Sequence, residues 1–195
     1  MWIIAGLFRQ QRLVVPKGGQ TRPTSNRLRE AIFNICQDSV GSAHFLDLFS
    51  GSGAMGLEAL SRGAQTATFV DNDKEAIHCI ETNIDKLKVK KQCRLLRGDV
   101  FSMLRLLVKE GKIFDIIYVD PPYSTIVPGS EEYYSAQILR WMDNHSLLAP
   151  NGTLFIEERL SAQPNSQHLH LQKIKLDKSR SVGSSILQQY RLPLV

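Results

Sequence analysis

Cysteine is scarce in this chain: there are three in 195 residues, Cys36, Cys79 and Cys93, an odd number set far apart. That argues against a disulfide framework and a CxxC metal site, and leaves buried thiols in a reducing compartment as the expectation. Long apolar runs are also lacking; the longest are strand-sized, too short for a membrane span. The opening residues, Met1-Trp2-Ile3-Ile4-Ala5-Gly6-Leu7-Phe8, have no basic flank before them and no small-residue cleavage pattern after them, so they do not read as a signal peptide. A soluble cytoplasmic protein is expected. Histidine is sparse and scattered. His44, His78 and His145 stand apart, and His168 and His170 alternate as on an exposed strand face, so no metal is expected. No Ser-His-Asp arrangement or nucleophile elbow is visible. Repeats, low-complexity tracts and long linkers are missing, and the length suits one hydrophobic core rather than two.

Acidic residues are in deficit, and unevenly so. The formal net charge is +5. In residues 1–40, Arg9, Arg12, Lys17, Arg22, Arg27 and Arg29 face only Glu30 and Asp38, and a second excess, with Lys173, Lys175, Lys178 and Arg180 against Asp177, runs from Arg159 to Arg191. Basic ends around a near-neutral middle suit a polyanionic partner, because Lys and Arg displace condensed counterions from phosphates.

Residues 3–5 and 12–15 read as two short strands of an N-terminal hairpin outside the main sheet, closed by Pro16 and Gly18-Gly19. A helix follows, with Thr24 or Ser25 as N-cap, Leu28, Ala31, Ile32 and Ile35 on one apolar face, and Arg22, Arg27 and Arg29 near its start. From residue 44 strands and helices alternate. Strands are expected at 45–49, 66–70, 93–96, 114–119 and 153–156. Helices are expected at 54–62, along Ile77, Ile80, Ile84 and Leu87, at 101–109, and around Tyr134, Ile138 and Trp141. This is an α/β pattern with right-handed crossovers and a mostly parallel sheet. Two last strands, around 169–176 and 186–192, have no helix between them, so one of them is expected to run antiparallel.

Two short blocks carry the chemistry. Gly51-Ser52-Gly53-Ala54-Met55-Gly56 follows the first strand and has the form G-x-G-x-x-G, with Asp71 at the end of the second strand. By itself this is a dinucleotide fingerprint. Asp47 decides against that reading: a carboxylate beside the loop would oppose a pyrophosphate, whereas it favours the sulfonium and α-ammonium of S-adenosylmethionine. Asp71 then suits both ribose hydroxyls and Asp99 the adenine amino group, giving three acids at the carboxyl ends of three successive strands, where open α/β sheets bind ligands.

The second block, Asp120-Pro121-Pro122-Tyr123, ends the fourth strand. Methylating an exocyclic amino group on a base is difficult because its lone pair is delocalised into the ring. Acceptors aimed at both N–H bonds localise it, and Asp120 offers a carboxylate while Pro121 offers a main-chain carbonyl in a turn stiffened by consecutive prolines. Tyr123 supplies a flat face for a base taken out of its stack. Residues 124–132 form a polar loop whose Gly129 permits a lid over the base.

With these blocks in place, the chain resembles the RsmD-type methyltransferases nearly end to end. The likeness includes Thr21-Arg22-Pro23-Thr24 with Arg27, Arg29-Glu30 and Phe33-Asn34, the stretch from Asp47 through Gly56-Leu57-Glu58-Ala59-Leu60-Ser61-Arg62-Gly63-Ala64, and Val119-Asp120-Pro121-Pro122-Tyr123. The resemblance implies a Rossmann-like class I methyltransferase fold with a seven-stranded, mostly parallel sheet and helices on both faces. It divides the chain into a hairpin extension, 1–20, and a methyltransferase domain, 21–195. It implies S-adenosylmethionine as methyl donor and, as substrate, N2 of a guanine in bacterial 16S ribosomal RNA, met on the small subunit or its assembly intermediate by a monomeric enzyme. Asp120, Pro121 and Tyr123 are implied to be catalytic. Asp47, Phe49, Gly51, Gly53, Asp71, Asn72, Asp99, Val100, Asp120 and Thr24 are implied to hold the cofactor, and Arg9, Arg12, Arg22, Arg27, Pro122 and Tyr123 the RNA. The chain departs from the family pattern at Trp2, where members usually carry Arg, and at Gln10-Gln11, where a basic residue often follows Gly, leaving a hairpin with fewer basic contacts.

Two other functions fit parts of the pattern. An adenine-N6 methyltransferase acting on DNA or RNA would use the same Asp-Pro-Pro-Tyr block, although such DNA enzymes usually add a target-recognition domain for which this chain has no room. A catalytically idle RNA-binding or assembly factor would keep the fold, but the intact Asp47, Asp71, Asp99 and Asp120 argue against it. A nicotinamide dehydrogenase comes last because of Asp47.

Overall fold

A computed structural model describes residues 1–17, 25–122, 133–159 and 169–193. The apolar runs form strands β1 (His44–Leu48), β2 (Thr66–Asp71), β3 (Cys93–Arg97), β4 (Phe114–Val119) and β5 (Leu148–Arg159), followed by β6 (Lys175–Val182) and β7 (Ser185–Arg191). They make one sheet in the order β3-β2-β1-β4-β5-β7-β6. β1 to β5 pair in parallel, and β7 is antiparallel to both of its neighbours, β5 and β6. The expected antiparallel member of the last pair is therefore β7.

Helices α1 (Asn26–Ile35), α2 (Ala54–Ser61) and α3 (Lys74–Leu87) cover one face, and α4 (Val100–Lys109) and α5 (Tyr134–Asn144) the other. A parallel strand covered on both sides reads as a near-continuous apolar run, and β1 and β4 do so apart from His44, Asp47 and Asp115. Phe45, Ile116 and Tyr118 meet the α1–α3 side, while Leu46, Leu48, Ile117 and Val119 meet the α4–α5 side. Ser25 caps α1 by accepting the Leu28 N–H at 3.2 Å, and Asp73 caps α3 through Glu75. Lys88, in the left-handed region at φ 58°, ends α3. All three cysteines are free thiols; burial pushes Cys36 and Cys93 up to about 12, which leaves them unreactive near neutrality.

Two expected elements differ. The N-terminal arm has one antiparallel bridge, Trp2 to Arg12, in place of two strands. The amides of Ile4 and Ala5 donate to the Glu58 carboxylate of α2, at 2.7 and 3.0 Å, so a side chain takes the place of a partner strand. The segment expected as a strand at 169–176 is irregular up to Ile174. Leu169, Leu171 and Ile174 pack on the α4–α5 core, while the Asp143 carboxylate accepts the backbone N–H groups of Gln172, Lys173 and Ile174 at 2.7–2.8 Å. The apolar alternation there records packing onto a core and not a ladder. The strand itself, β6, begins at Lys175 on the sheet edge and is exposed nearly throughout, so it carries no apolar signature.

Candidate active site

The chain leaves β1 through a run of left-handed residues: Phe49 at φ 59°, Gly51 at 55° and Gly53 at 75°. Ser50 locks this exit, its hydroxyl donating to the Asp47 carbonyl at 2.6 Å and accepting the Val70 N–H at 3.0 Å. The third glycine of the loop has a different task. A Cβ on Gly56 would lie 2.3 Å from the Phe69 ring, so its absence lets α2 rest directly on β2.

Around this loop, four acids stand at or just beyond the ends of neighbouring strands. Asp71, half-buried at the end of β2, accepts the Gly51 N–H through Oδ2 at 2.8 Å and the Asp73 N–H through Oδ1 at 2.9 Å. It thus holds the glycine loop while keeping lone pairs on both oxygens. Beside it Asn72 is exposed. Asp99, beyond β3, caps α4 by accepting the Ser102 N–H and hydroxyl on Oδ1, and Val100 behind it is buried. Asp47 is only 1% exposed, and its Oδ2 accepts the Gly56 N–H at 3.0 Å. Burial drives its carboxyl well above the usual carboxylate range; the Gly56 amide opposes that displacement, and the charges of Asp120 and Asp71 add to it.

Asp120 lies across from Asp47. Its N–H reaches the Leu48 carbonyl at 3.4 Å, which ties the exit of β4 to the exit of β1. It is half-buried, Pro121 is buried and Pro122 is exposed, so the turn presents its outer proline to solvent while anchoring the acid. The loop after β1 and the turn after β4, far apart in sequence, form one rim because β1 and β4 are paired neighbours.

Arg27 is exposed in the first turn of α1, Arg12 is exposed opposite Trp2, and Arg9 is exposed in the turn of the N-terminal arm. That turn rests on the C-terminal end of α2, where Leu7 N–H donates to the Ser61 carbonyl at 2.7 Å and Phe8 N–H to its hydroxyl at 2.9 Å. Arg9 therefore sits a helix length away from the glycine loop. Thr24, Arg22 and Tyr123, the residues 124–132 and His168 lie outside the described residues.

Three features of this rim escape a reading of the sequence. Phe49 meets Tyr134 edge-on with ring centroids 5.6 Å apart, and Tyr134 stacks on Phe101 at 6.2 Å, which builds an aromatic wall from the exit of β1, α5 and α4. Asn83 of α3 is fully buried. Its amide donates to the carbonyls of Val14 (2.9 Å) and Ser52 (3.0 Å), and its oxygen accepts the Val14 N–H at 2.8 Å, joining arm to glycine loop. A polar residue within the apolar stripe Ile80, Ile84, Leu87 was the available signal. Glu58, also fully buried, pairs with Arg62 at 2.8 Å and Arg29 at 3.6 Å while holding the arm, and Arg62 lies over the Phe33 ring.

Among the described residues no group of three or more His, Cys, Asp or Glu side chains could hold a metal ion. No helix among them is long and apolar enough to cross a membrane. The acceptor set fits a ligand rich in hydroxyl, amino and cationic groups: carboxylates lie at the ends of four adjacent strands, and the two left-handed glycines let the backbone approach closely.

A family model described as conserved hypothetical protein 95 matches residues 1–191. Ribosomal RNA small subunit methyltransferase D of Escherichia coli strain K12 is 32% identical over 176 residues, spanning 88% of this chain and 83% of that protein. Among solved structures, the proposed methyltransferase yhhF from Escherichia coli has a TM-score of 0.79 at 29% identity, covering 98% of this chain and 97% of that one. The fold is shared with SMU.776, solved in complex with SAH, at a TM-score of 0.64 and 17% identity over 84% of this chain and 49% of that one. The glycine loop, the Asp-Pro-Pro turn and the sheet order thus coincide with a match along nearly the whole chain, which belongs to the conserved hypothetical protein 95 family, that of the RsmD class I methyltransferases.

Proposed function

We propose that this protein transfers a methyl group from S-adenosylmethionine to the exocyclic N2 amino group of a guanine in small-subunit ribosomal RNA. The observation that carries the proposal is the juxtaposition of Asp120 and Pro121, at the end of β4, with Asp47 and the glycine loop, at the end of the adjacent β1. The cofactor supplies an electrophilic methyl on a sulfonium. Asp71 offers acceptor oxygens to its ribose, Asn72 flanks them, Asp99 and Val100 flank the adenine, and Phe49, Gly51 and Gly53 shape the wall along which it lies. Asp47 sets a negative potential beside its cationic end, where Thr24 is assigned as a further contact.

The Asp120 carboxylate and the Pro121 carbonyl each accept one N–H of the target amino group. This would turn the nitrogen lone pair out of the base plane and toward the methyl; forming the N–C bond would break the sulfonium S–C bond, leaving S-adenosylhomocysteine, and one amino proton would pass by way of Asp120 to solvent, while the fixed turn requires little reorganisation as it acts. Tyr123 and Pro122 pack on the base, and Arg12, Arg22 and Arg27, with Arg9 at greater distance, contact phosphates. The names of the relatives support ribosomal RNA as the substrate, and the SAH-bound neighbour supports the cofactor.

The test is transfer of labelled methyl from S-adenosylmethionine to small ribosomal subunits from cells lacking the enzyme, followed by nucleoside analysis, with naked RNA and duplex DNA in parallel. N2-methylguanosine is the expected product. N6-methyladenosine would keep the site chemistry and replace the substrate; no transfer to any nucleic acid would leave a binding protein of the same fold.

A further inference from the structure

The N-terminal arm displays an aromatic side chain that the methyl-transfer site does not use. Five large apolar residues are exposed among the described residues, and three of them, Trp2, Leu7 and Val14, lie on this arm. Scattered apolar residues at a surface need no explanation. Here the geometry is ordered. Ile3 N–H donates to the Gln11 carbonyl and Leu13 N–H to the Met1 carbonyl, both at 2.9 Å, which makes Trp2 and Arg12 a non-hydrogen-bonded antiparallel pair, the type whose side chains stand closest together. Ile3 and Leu13, one position on, are buried in the core, so the alternation turns Trp2 and Arg12 outward together.

The platform is stiff. The Trp2 carbonyl accepts from the buried Arg29 guanidinium at 2.9 Å, and Lys86 Nζ donates to the Arg12 carbonyl at 2.5 Å, which adds a second cation beside the pair. It also borders the site, because Asn83 links Val14 to Ser52 of the glycine loop and the Ser52 hydroxyl contacts the Met1 sulfur at 3.7 Å. An exposed indole (53%) on a backbone fixed by these hydrogen bonds, with Arg12 as its cross-strand partner, is suited to stacking on an unpaired base whose flanking phosphates meet that cation. A cation as its cross-strand partner, with Lys86 held at the Arg12 carbonyl, favours nucleic acid over an apolar protein patch.

We infer that Trp2, with Arg12 at its side, is a stacking contact for an unpaired base of the substrate RNA outside the catalytic pocket. This deepens the proposed function and rests on its identification of RNA as substrate. The chain has two tryptophans, and the other, Trp141, stacks on His145 with centroids 4.1 Å apart. In a Trp141→Phe background Trp2 is therefore the sole reporter. Titration with an unmodified, protein-free 16S ribosomal RNA transcript is expected to quench its emission to saturation. Trp2→Ala is expected to weaken Kd by about 5- to 100-fold with the slope of log Kd against log salt unchanged. Arg12→Ala is expected to change that slope by about 1. Trp2→Phe should recover most of the affinity, and an unchanged Tm in each variant excludes a folding defect, since the indole is exposed.

Unquenched emission at saturating RNA, or a Trp2→Ala Kd within about twofold of the parent, overturns the inference, as does quenching by ribosomal proteins but not by RNA. Methyl transfer by the wild-type protein is measured alongside. Quenching without methyl transfer defeats the proposed function and leaves the contact standing, whereas methyl transfer with a silent Trp2 defeats the contact alone.

Discussion

Asp47 and Asp120 face the same rim and carry opposite demands. On the proposed mechanism Asp120 accepts from the amino group while a base is present, and it lies half-buried at the exit of β4. Replacing it with Ala removes one of two acceptors for the amino group. The expected result is a loss of roughly 10²–10³ in kcat, much larger than any loss of S-adenosylmethionine affinity measured by calorimetry; near-wild-type turnover would sink the mechanism. Asp47 is different because burial, opposed by the Gly56 amide and reinforced by Asp120 and Asp71, raises its carboxyl. A carboxyl whose folded value lies above its unfolded one contributes most stability below the unfolded value and loses that contribution as pH rises through the folded one. Asp47→Asn keeps an oxygen for the Gly56 N–H and abolishes the charge. The variant is therefore expected to melt a few degrees higher than wild type at pH 7 and to match it near pH 3. At pH 7 it should also bind S-adenosylmethionine more weakly, and near pH 3, where Asp47 is itself neutral, the two should bind alike; thermal melts and titrations at both pH values check this.

At the scale of elements, α2 sits close to β2 only because position 56 has no side chain. In Gly56→Ala the new methyl would be driven into the Phe69 ring, backed by strand and helix on either side. An overpacking cost of about 1–3 kcal/mol is expected in denaturant unfolding, and Phe69→Leu in the same chain should restore part of it. The segment before β6 depends instead on one carboxylate. Burial works against ionised Asp143, but the three backbone N–H groups of Gln172, Ile174 and Lys173 outweigh it and hold the carboxyl below its usual range. Stability from such a group is present above its unfolded value and disappears as pH falls through the folded one. Asp143→Asn turns one acceptor into a donor facing an N–H, so a loss of about 1–3 kcal/mol at pH 7 is expected. That difference should shrink in unfolding curves as pH falls below about 4.

Across the whole molecule, the sheet order places one ligand rim where β1 and β4 part to receive helices from opposite faces, the position at which open α/β sheets bind ligands. A ligand that binds only this folded rim must raise Tm. At a hundredfold excess over Kd the gain is about 2.7 kcal/mol, or roughly 5–10 °C for a chain of this size. S-adenosylhomocysteine is expected to produce it in scanning fluorimetry, and NADH is expected to leave Tm unmoved; the reverse result would return the glycine loop to the dinucleotide reading.

Much of this architecture was legible in the residues alone. β4 runs over the expected span 114–119, and the other parallel strands and the helices were foreseen, with ends differing by a few residues at most places and β5 extending well past its apolar centre. Both chemical blocks were visible too. Burial on both faces demands mostly apolar runs, and tight turns demand glycine and proline, so these features are written locally. Tertiary structure decided what depends on partners distant in sequence. Glu58 captures amides 54 and 53 positions away and so replaces the expected strands of the arm, and Asn83 reaches 69 positions back to tie that arm to the glycine loop. Phe49, Phe101 and Tyr134 become a wall only when three elements converge. β6, paired on one side and exposed nearly throughout, buries too little to leave a pattern in its own residues; it is a strand because β7 offers it a ladder.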